Sequence, residues 1–252
     1  MGTDKINRNK NEFMSQKTVR LGVIGVGGIW SAHAKNLAAL GGNSVVAVCD
    51  LNEVNRNKAA EALGARAYAD IEEMFANEEL DAAISCTPPG ARAVVAQAAV
   101  KHAVPLFIEK PPATTLEDGL AISRIVSQGT TPVICGFMYR YFPVAARLKQ
   151  LIEGRKILTL QSAFMCPAAT HWPLPGWFYI KERSGGHILD QAIHSIDFIR
   201  YFAGDIVEVH SYGANVVRPK RKTSRSKTPH PPTCVSPAEL SAPTSILGRM
   251  TR

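Results

Sequence analysis

The chain has 252 residues, 46% of them hydrophobic and 20% charged, which excludes a wholly disordered, collagenous or coiled-coil protein and leaves room for about two domains. Its net charge of +8 is concentrated at one end, because eight Lys or Arg and a single acid, Glu239, lie between Arg218 and Arg252. The nearly neutral body carries no excess charge that would point to a specific nucleic-acid partner. No apolar run approaches the roughly 18 residues that cross a bilayer. The stretch Met1–Gln16 is polar and lacks the apolar core of a signal peptide, so a cytoplasmic protein with no membrane partner is expected. Five cysteines, widely spaced and without a CxxC pair, predict reduced thiols and neither a disulfide framework nor a zinc cluster.

After residues 1–18, a polar lead-in, Val19–Ile24 is a short apolar run ending at glycines and reads as a buried parallel strand. Ser31–Leu40 has helical composition and stops at Gly41, and Ser44–Cys49 is the next strand, closed by Asp50. A helix over Asn55–Leu63, a strand over Ala82–Cys86, a helix over Ala91–His102, a strand over Pro105–Ile108, a helix over Leu116–Ser127 and a strand over Pro132–Cys135 continue the alternation. Strands that alternate with helices predict an α/β fold, a doubly wound parallel Rossmann sheet over residues 19–139. Residues 140–217 read as a partial α+β domain. Its predicted elements are a helix over Val144–Glu153, a strand over Ile157–Met165, one long helix over His187–Phe202 and a strand over Val207–Tyr212. From Arg218 to Arg252 hydrophobic periodicity is lost to Pro, Ser, Thr and basic residues, the composition of a disordered tail.

Chemistry-bearing residues fall at three places. Gly25, Gly27, Gly28 and Ile29 lie between the first strand and the first helix, where glycines allow a tight turn and let backbone amides approach a pyrophosphate at a helix N-terminus. Asp50 closes the second strand 25 residues after Gly25, where an acid hydrogen-bonds ribose hydroxyls. Trp30 departs from the small residue that normally allows close helix packing there. A glycine turn without a ligand is the bland alternative. Glu109-Lys110-Pro111 follows the strand ending at Ile108, so the Lys110 cation lies just past a strand's carboxyl end, the usual ligand-binding edge of such sheets. On its own it would read as a solvated surface lysine. In Gly185–Asp197, Asp190 and His194 are spaced i and i+4 and share one helix face, a pairing suited to general acid–base chemistry. An ordinary surface pair competes with that reading, and a metal site is not expected because no third ligand falls at suitable spacing.

Taken together, the glycine loop with His33-Ala34 after it, Cys86-Thr87-Pro88-Pro89, Glu109-Lys110-Pro111 and the segment Gly185–Gly204 resemble the Gfo/Idh/MocA oxidoreductases over about Val19–Val217. The resemblance implies an N-terminal Rossmann domain, a C-terminal α/β domain and hydride transfer between a nicotinamide cofactor and a sugar or polyol. It also implies cofactor binding by Gly25, Gly27, Gly28, Ile29, Asp50, Thr87, Pro88, Glu109 and Lys110. Catalytic roles fall to His194 as proton acceptor, Lys110 as charge stabiliser and Asp190 as the residue that orients the substrate. NAD is expected over NADP, because Asp50 is followed by Leu51 and not by a cation. Members of the family form homo-oligomers. Two departures stand out: Arg92 occupies a position where relatives often carry histidine, and the tail replaces residues that complete the second sheet in the family. A frame shift near Val217 would account for the tail. The alternative function is a catalytically impaired nucleotide-binding or interaction protein with an incomplete substrate domain.

Overall fold

The computed structural model describes residues 17–164, 176–186, 188–210 and 247–250. Its contacts divide into two units. The first runs through Thr87 and includes Ala91–Glu109 and Leu120–Cys135, and the second comprises Pro88–Gly90, Lys110–Gly119 and the described residues from Gly136 onward. The chain therefore passes between the units more than once, where a single boundary near residue 139 was expected.

The first unit is built on six strands: β1 (Val19–Ile24), β2 (Asn43–Cys49), β3 (Arg66–Tyr68), β4 (Ala82–Ser85), β5 (Leu106–Ile108) and β6 (Val133–Cys135). All pair in parallel, in the order β3-β2-β1-β4-β5-β6. This is the doubly wound arrangement predicted from the alternation, with its switch point between β1 and β4. The crossover helices are α1 (Trp30–Leu40), α2 (Glu53–Leu63), α3 (Ile71–Asn77), α4 (Arg92–Lys101) and α5 (Leu116–Ser127). Side chains alternate across the strands, so both faces of the sheet are buried. On one face Ile24, Ala47, Cys49 and Ala83 pack with Met74 and Phe75 of α3 and the alanine-rich side of α4. On the other, Leu21, Val23, Val45 and Val48 pack with Val26 and Trp30. Trp30, only 7% exposed, thus supplies core volume at the start of α1.

The sequence reading omitted β3 and α3. Strand β3 is three residues long and has one partner, too short to carry a period-2 signal. Helix α3 did have a signal: Asp70 accepts a hydrogen bond from the Glu73 amide at 2.9 Å, and Glu72 and Glu73 stand in the first turn. The buried carboxylate of Glu78 then ties α3 to β3, because the Tyr68 hydroxyl donates to it at 2.6 Å and Arg66 forms an ion pair with it.

In the second unit a 3-10 turn (Met138–Tyr141) leads into α6 (Pro143–Ile152), followed further along by the single-turn helix α7 (Lys181–Ser184). Two expectations fail here. Residues 157–164 are not a strand; Leu158 is 86% exposed, and among the described residues no strand pairs with this run. The predicted long helix is also two elements, a π-helical turn over Ile188–Ala192 and then α8 (Ile193–Ala203). Strand β7 (Ile206–His210) pairs antiparallel with β8 (Leu247–Met250). Those last four residues depart from the disordered tail expected beyond Arg218, while the rest of that tail and residues 1–16 of the lead-in lie outside the described residues. No described helix is long and apolar enough to cross a membrane.

Candidate functional site

The glycine loop of the first unit has the form its sequence predicted. Gly25 lies at φ +83°, and a Cβ placed on it would come within 3.0 Å of the backbone of Cys86 and Thr87, so the β1 turn can pass the β4 turn only as glycine. Gly27 and Gly28 have nothing within 4 Å of a hypothetical Cβ. That leaves open space beside the first turn of α1, whose N-cap Ile29 supplies no side-chain hydrogen bond. An exposed glycine bend running into a helix N-terminus that no side chain caps presents amides and a positive dipole end to an anion.

Asp50 sits at the carboxyl end of β2 as expected, and it also organises the loop. Its Oδ2 accepts from the Val26 amide and its Oδ1 from the Asn52 amide, each at 2.8 Å. Leu51 beside it is 92% exposed. The Arg56 guanidinium donates to the Asp50 carbonyl at 2.8 Å, which places a cation close behind the acid. After β4, the Ser85 and Thr87 hydroxyls are 2.9 Å apart, and the buried Arg92 donates from Nε and Nη2 to the Thr87 carbonyl. Arg92, the departure noted in the sequence, therefore holds the turn that runs into Pro88. Glu109 closes β5 with its Oε1 2.6 Å from His33 Nε2 on α1. Phe107 makes an edge contact with the same imidazole.

Two of the three catalytic candidates meet directly in the second unit. Lys110 Nζ donates to the Asp190 carbonyl at 2.6 Å and to its Oδ1 at 3.3 Å, and Gln191 Nε2 donates to the other carboxylate oxygen. Asp190, expected to orient substrate, is thus also in direct contact with Lys110. Asp190 is 7% exposed and His194 6%. Asp190 lies within the π-helical turn and His194 just after it in α8; such a turn has one more residue per hydrogen-bonded loop than an α-helix and is often found at functional sites.

Three residues of this region went unnoticed in the sequence. Tyr139 stacks on His194 with ring centroids 4.7 Å apart and an interplanar angle of 25°. Arg140 forms a bidentate ion pair with the buried Asp197, and this pair holds the guanidinium pKa above its ordinary value. Asp197 could have been singled out, since it follows His194 by three residues on the same face. Nothing local marks Tyr139 and Arg140. Among the described residues no cluster of three or more His, Cys, Asp or Glu is placed to hold a metal.

Comparison with known proteins matches two descriptions of one family: "Oxidoreductase family, NAD-binding Rossmann fold" over residues 19–137 and "GFO/IDH/MocA C-terminal domain" over residues 146–236. The second match continues past Val217, where the sequence reading ended the domain. The chain is 28% identical over 191 residues to myo-inositol 2-dehydrogenase of Thermotoga maritima, covering 75% of this chain and 56% of that protein. It is 32% identical over 200 residues to the scyllo-inositol 2-dehydrogenase (NAD(+)) of Bacillus subtilis, covering 77% and 57%. The WlbA dehydrogenase from Bordetella pertussis, crystallised with NADH and UDP-GlcNAcA, superposes with a TM-score of 0.70 at 25% identity, over 80% of this chain and 64% of that one. The chain thus spans about half the length of the curated relatives it matches.

Proposed function

Because the chain belongs to the Gfo/Idh/MocA family of oxidoreductases, we propose that it is an NAD-dependent oxidoreductase acting on a hydroxyl-bearing carbon of a sugar or polyol. The proposal includes a cytoplasmic location. The observation that carries it is the cation Lys110 held by the buried Asp190, one helical turn before the buried His194. A fixed cation and an imidazole are the two groups that removal of a hydride from an alcohol demands, one for the charge that develops on oxygen and one for its proton.

The residues of the first unit fit the cofactor. Gly27 and Gly28 leave open space beside an N-terminus that no side chain caps, suited to the pyrophosphate, and Asp50 stands where ribose hydroxyls are bound. When bound, NAD would supply the hydride acceptor. The work of the chain is positional and electrostatic. His194 accepts the hydroxyl proton, Lys110 stabilises the oxygen as it becomes anionic, and Asp190 keeps the ammonium aimed through its carbonyl and carboxylate. The carboxylate of Asp50 repels a 2′-phosphate, so NAD is the cofactor in preference to NADP.

Calorimetric titration of the purified chain with NAD and NADP, followed by absorbance of the reduced nicotinamide across a panel of polyols including myo- and scyllo-inositol, tests this. Binding with turnover, lowered roughly 10²- to 10⁴-fold by His194→Ala while NAD still binds, is the expected result. Unchanged turnover in that variant overturns the assignment of His194. Binding of NAD without turnover on any polyol would favour the nucleotide-binding alternative, and absence of binding would overturn both.

A further inference from the structure

We infer that Tyr139 is a positioning residue for His194, and that the Arg140–Asp197 pair is the brace that holds Tyr139 in place. The inference rests on the catalytic role proposed above for His194. Three observations carry it. The Tyr139 ring lies over the imidazole with centroids 4.7 Å apart and planes 25° from parallel. The next residue, Arg140, reaches the carboxylate of Asp197, with Nε 2.8 Å from Oδ2 and Nη2 paired to Oδ1. Asp197, 5% exposed, stands three residues after His194 in α8.

Adjacent residues of one 3-10 turn therefore grip two residues of one helix face, one by stacking and one by a planar fork. The two grips have different consequences. Rotation of an imidazole about its terminal torsion is soft, with broad minima, so the backbone of α8 places the ring but leaves its plane undetermined. A stacked aromatic neighbour selects that plane, and with it the directions of both ring nitrogens. For Tyr139 to do so, the turn that carries it must itself be fixed against α8. Arg140 fixes it because its fork fits the carboxylate in a single orientation, and its guanidinium also lies 5.2 Å from the Tyr201 ring centroid on the same helix. Phe198, one turn from His194, meets the Tyr139 ring edge-on with centroids 6.1 Å apart and closes the stack from the side.

The test is nuclear magnetic resonance of the full chain with labelled histidine, because a ring stacked on tyrosine carries an upfield ring-current shift that no purely global effect reproduces. Tyr139→Leu is expected to remove that shift from the His194 ring resonances, and Tyr139→Phe to keep it. Arg140→Lys, which retains the charge but loses the fork, is expected to reduce it. In turnover, Tyr139→Leu should lower kcat roughly tenfold to a hundredfold, through misplacement of the base, with NAD affinity retained. His194 resonances unmoved in Tyr139→Leu overturn the inference. Should that variant lose native amide dispersion, Arg140→Lys decides: a native spectrum with unmoved His194 resonances overturns it equally. Unchanged turnover in His194→Gln, with the ring-current shift present in the parent, would instead sink the proposed function and leave the stack standing.

Discussion

Lys110 and Asp190 are 80 residues apart in the chain and joined at two points, ammonium to carbonyl at 2.6 Å and ammonium to carboxylate at 3.3 Å. The double contact separates two tasks, since the carbonyl sets the position of the nitrogen and the carboxylate balances its charge. Lys110→Met leaves a nearly buried carboxylate with only the Gln191 amide as its partner among these contacts. Urea unfolding should register a loss of about 1–3 kcal/mol. Lys110→Arg keeps the charge yet replaces a point cation with a fork that the site does not match, so stability should recover more than turnover does. Equal recovery of both would contradict the positional role.

The glycine loop separates folding from binding. Gly25→Ala forces a left-handed backbone onto a residue with a Cβ and presses that carbon against the turn after β4, at an expected cost of about 1–3 kcal/mol by thermal or urea unfolding. Gly27→Ala meets open space and should change stability little. Its methyl fills the proposed cradle, so calorimetry should find NAD binding weakened. A Gly27→Ala protein that binds NAD as tightly as the parent would remove the cradle from the proposal.

Asp50 both holds the Val26 amide and faces the cofactor's ribose in the proposed reading. Asp50→Asn keeps an acceptor for only one of the two backbone amides that Asp50 holds, Val26 and Asn52, and removes the negative charge. The ratio of NAD to NADP affinity should therefore fall, with a loss of stability of about 1–3 kcal/mol from the amide left unpaired, and Arg56 is close at hand to meet a 2′-phosphate. A ratio that does not change would show that the carboxylate is not what discriminates.

Burial pushes the Cys86 thiol up to about 12, with Glu109 adding to the effect, and pushes Cys49 to about 11, with Asp70 and Asp50 adding. In the folded chain both remain neutral where an unfolded thiol, at about 8.5, would ionise. Their contribution to stability is thus complete below about pH 8.5 and is lost as pH rises toward the folded values. At pH 9, iodoacetamide should alkylate these two sites slowly in native protein and quickly in denaturant, read by peptide mass spectrometry. Rapid native labelling of Cys86 would contradict its burial in the core with Val26 and Trp30.

Asp197→Ala removes the partner of Arg140 and leaves a half-buried guanidinium unpaired. A loss of about 1–3 kcal/mol is expected, less than a fully buried pair would cost, because Arg140 is 37% exposed and water can reach it. Asp197→Asn, with one acceptor oxygen, should recover part of it.

What the sequence by itself determined lies mostly in the first unit. Val19–Ile24, the glycine bend and the strand ending at Asp50 are read locally, since a buried parallel strand, a left-handed turn and a helix start each demand particular residues within a few positions. Lys110, Asp190 and His194 were legible only as members of motifs. The contact of Lys110 with Asp190, and the brace formed by Tyr139, Arg140 and Asp197, belong to tertiary structure. An ion pair across 57 residues leaves no periodic trace, and stacking depends on distance and angle, which residue types do not encode. The failures share that cause. The apolar run from Ile157 has strand composition but finds no partner among the described residues, while three-residue β3 is a strand because β2 supplies one. A strand is defined by hydrogen bonds to its neighbour, so its existence is decided by what the fold brings alongside.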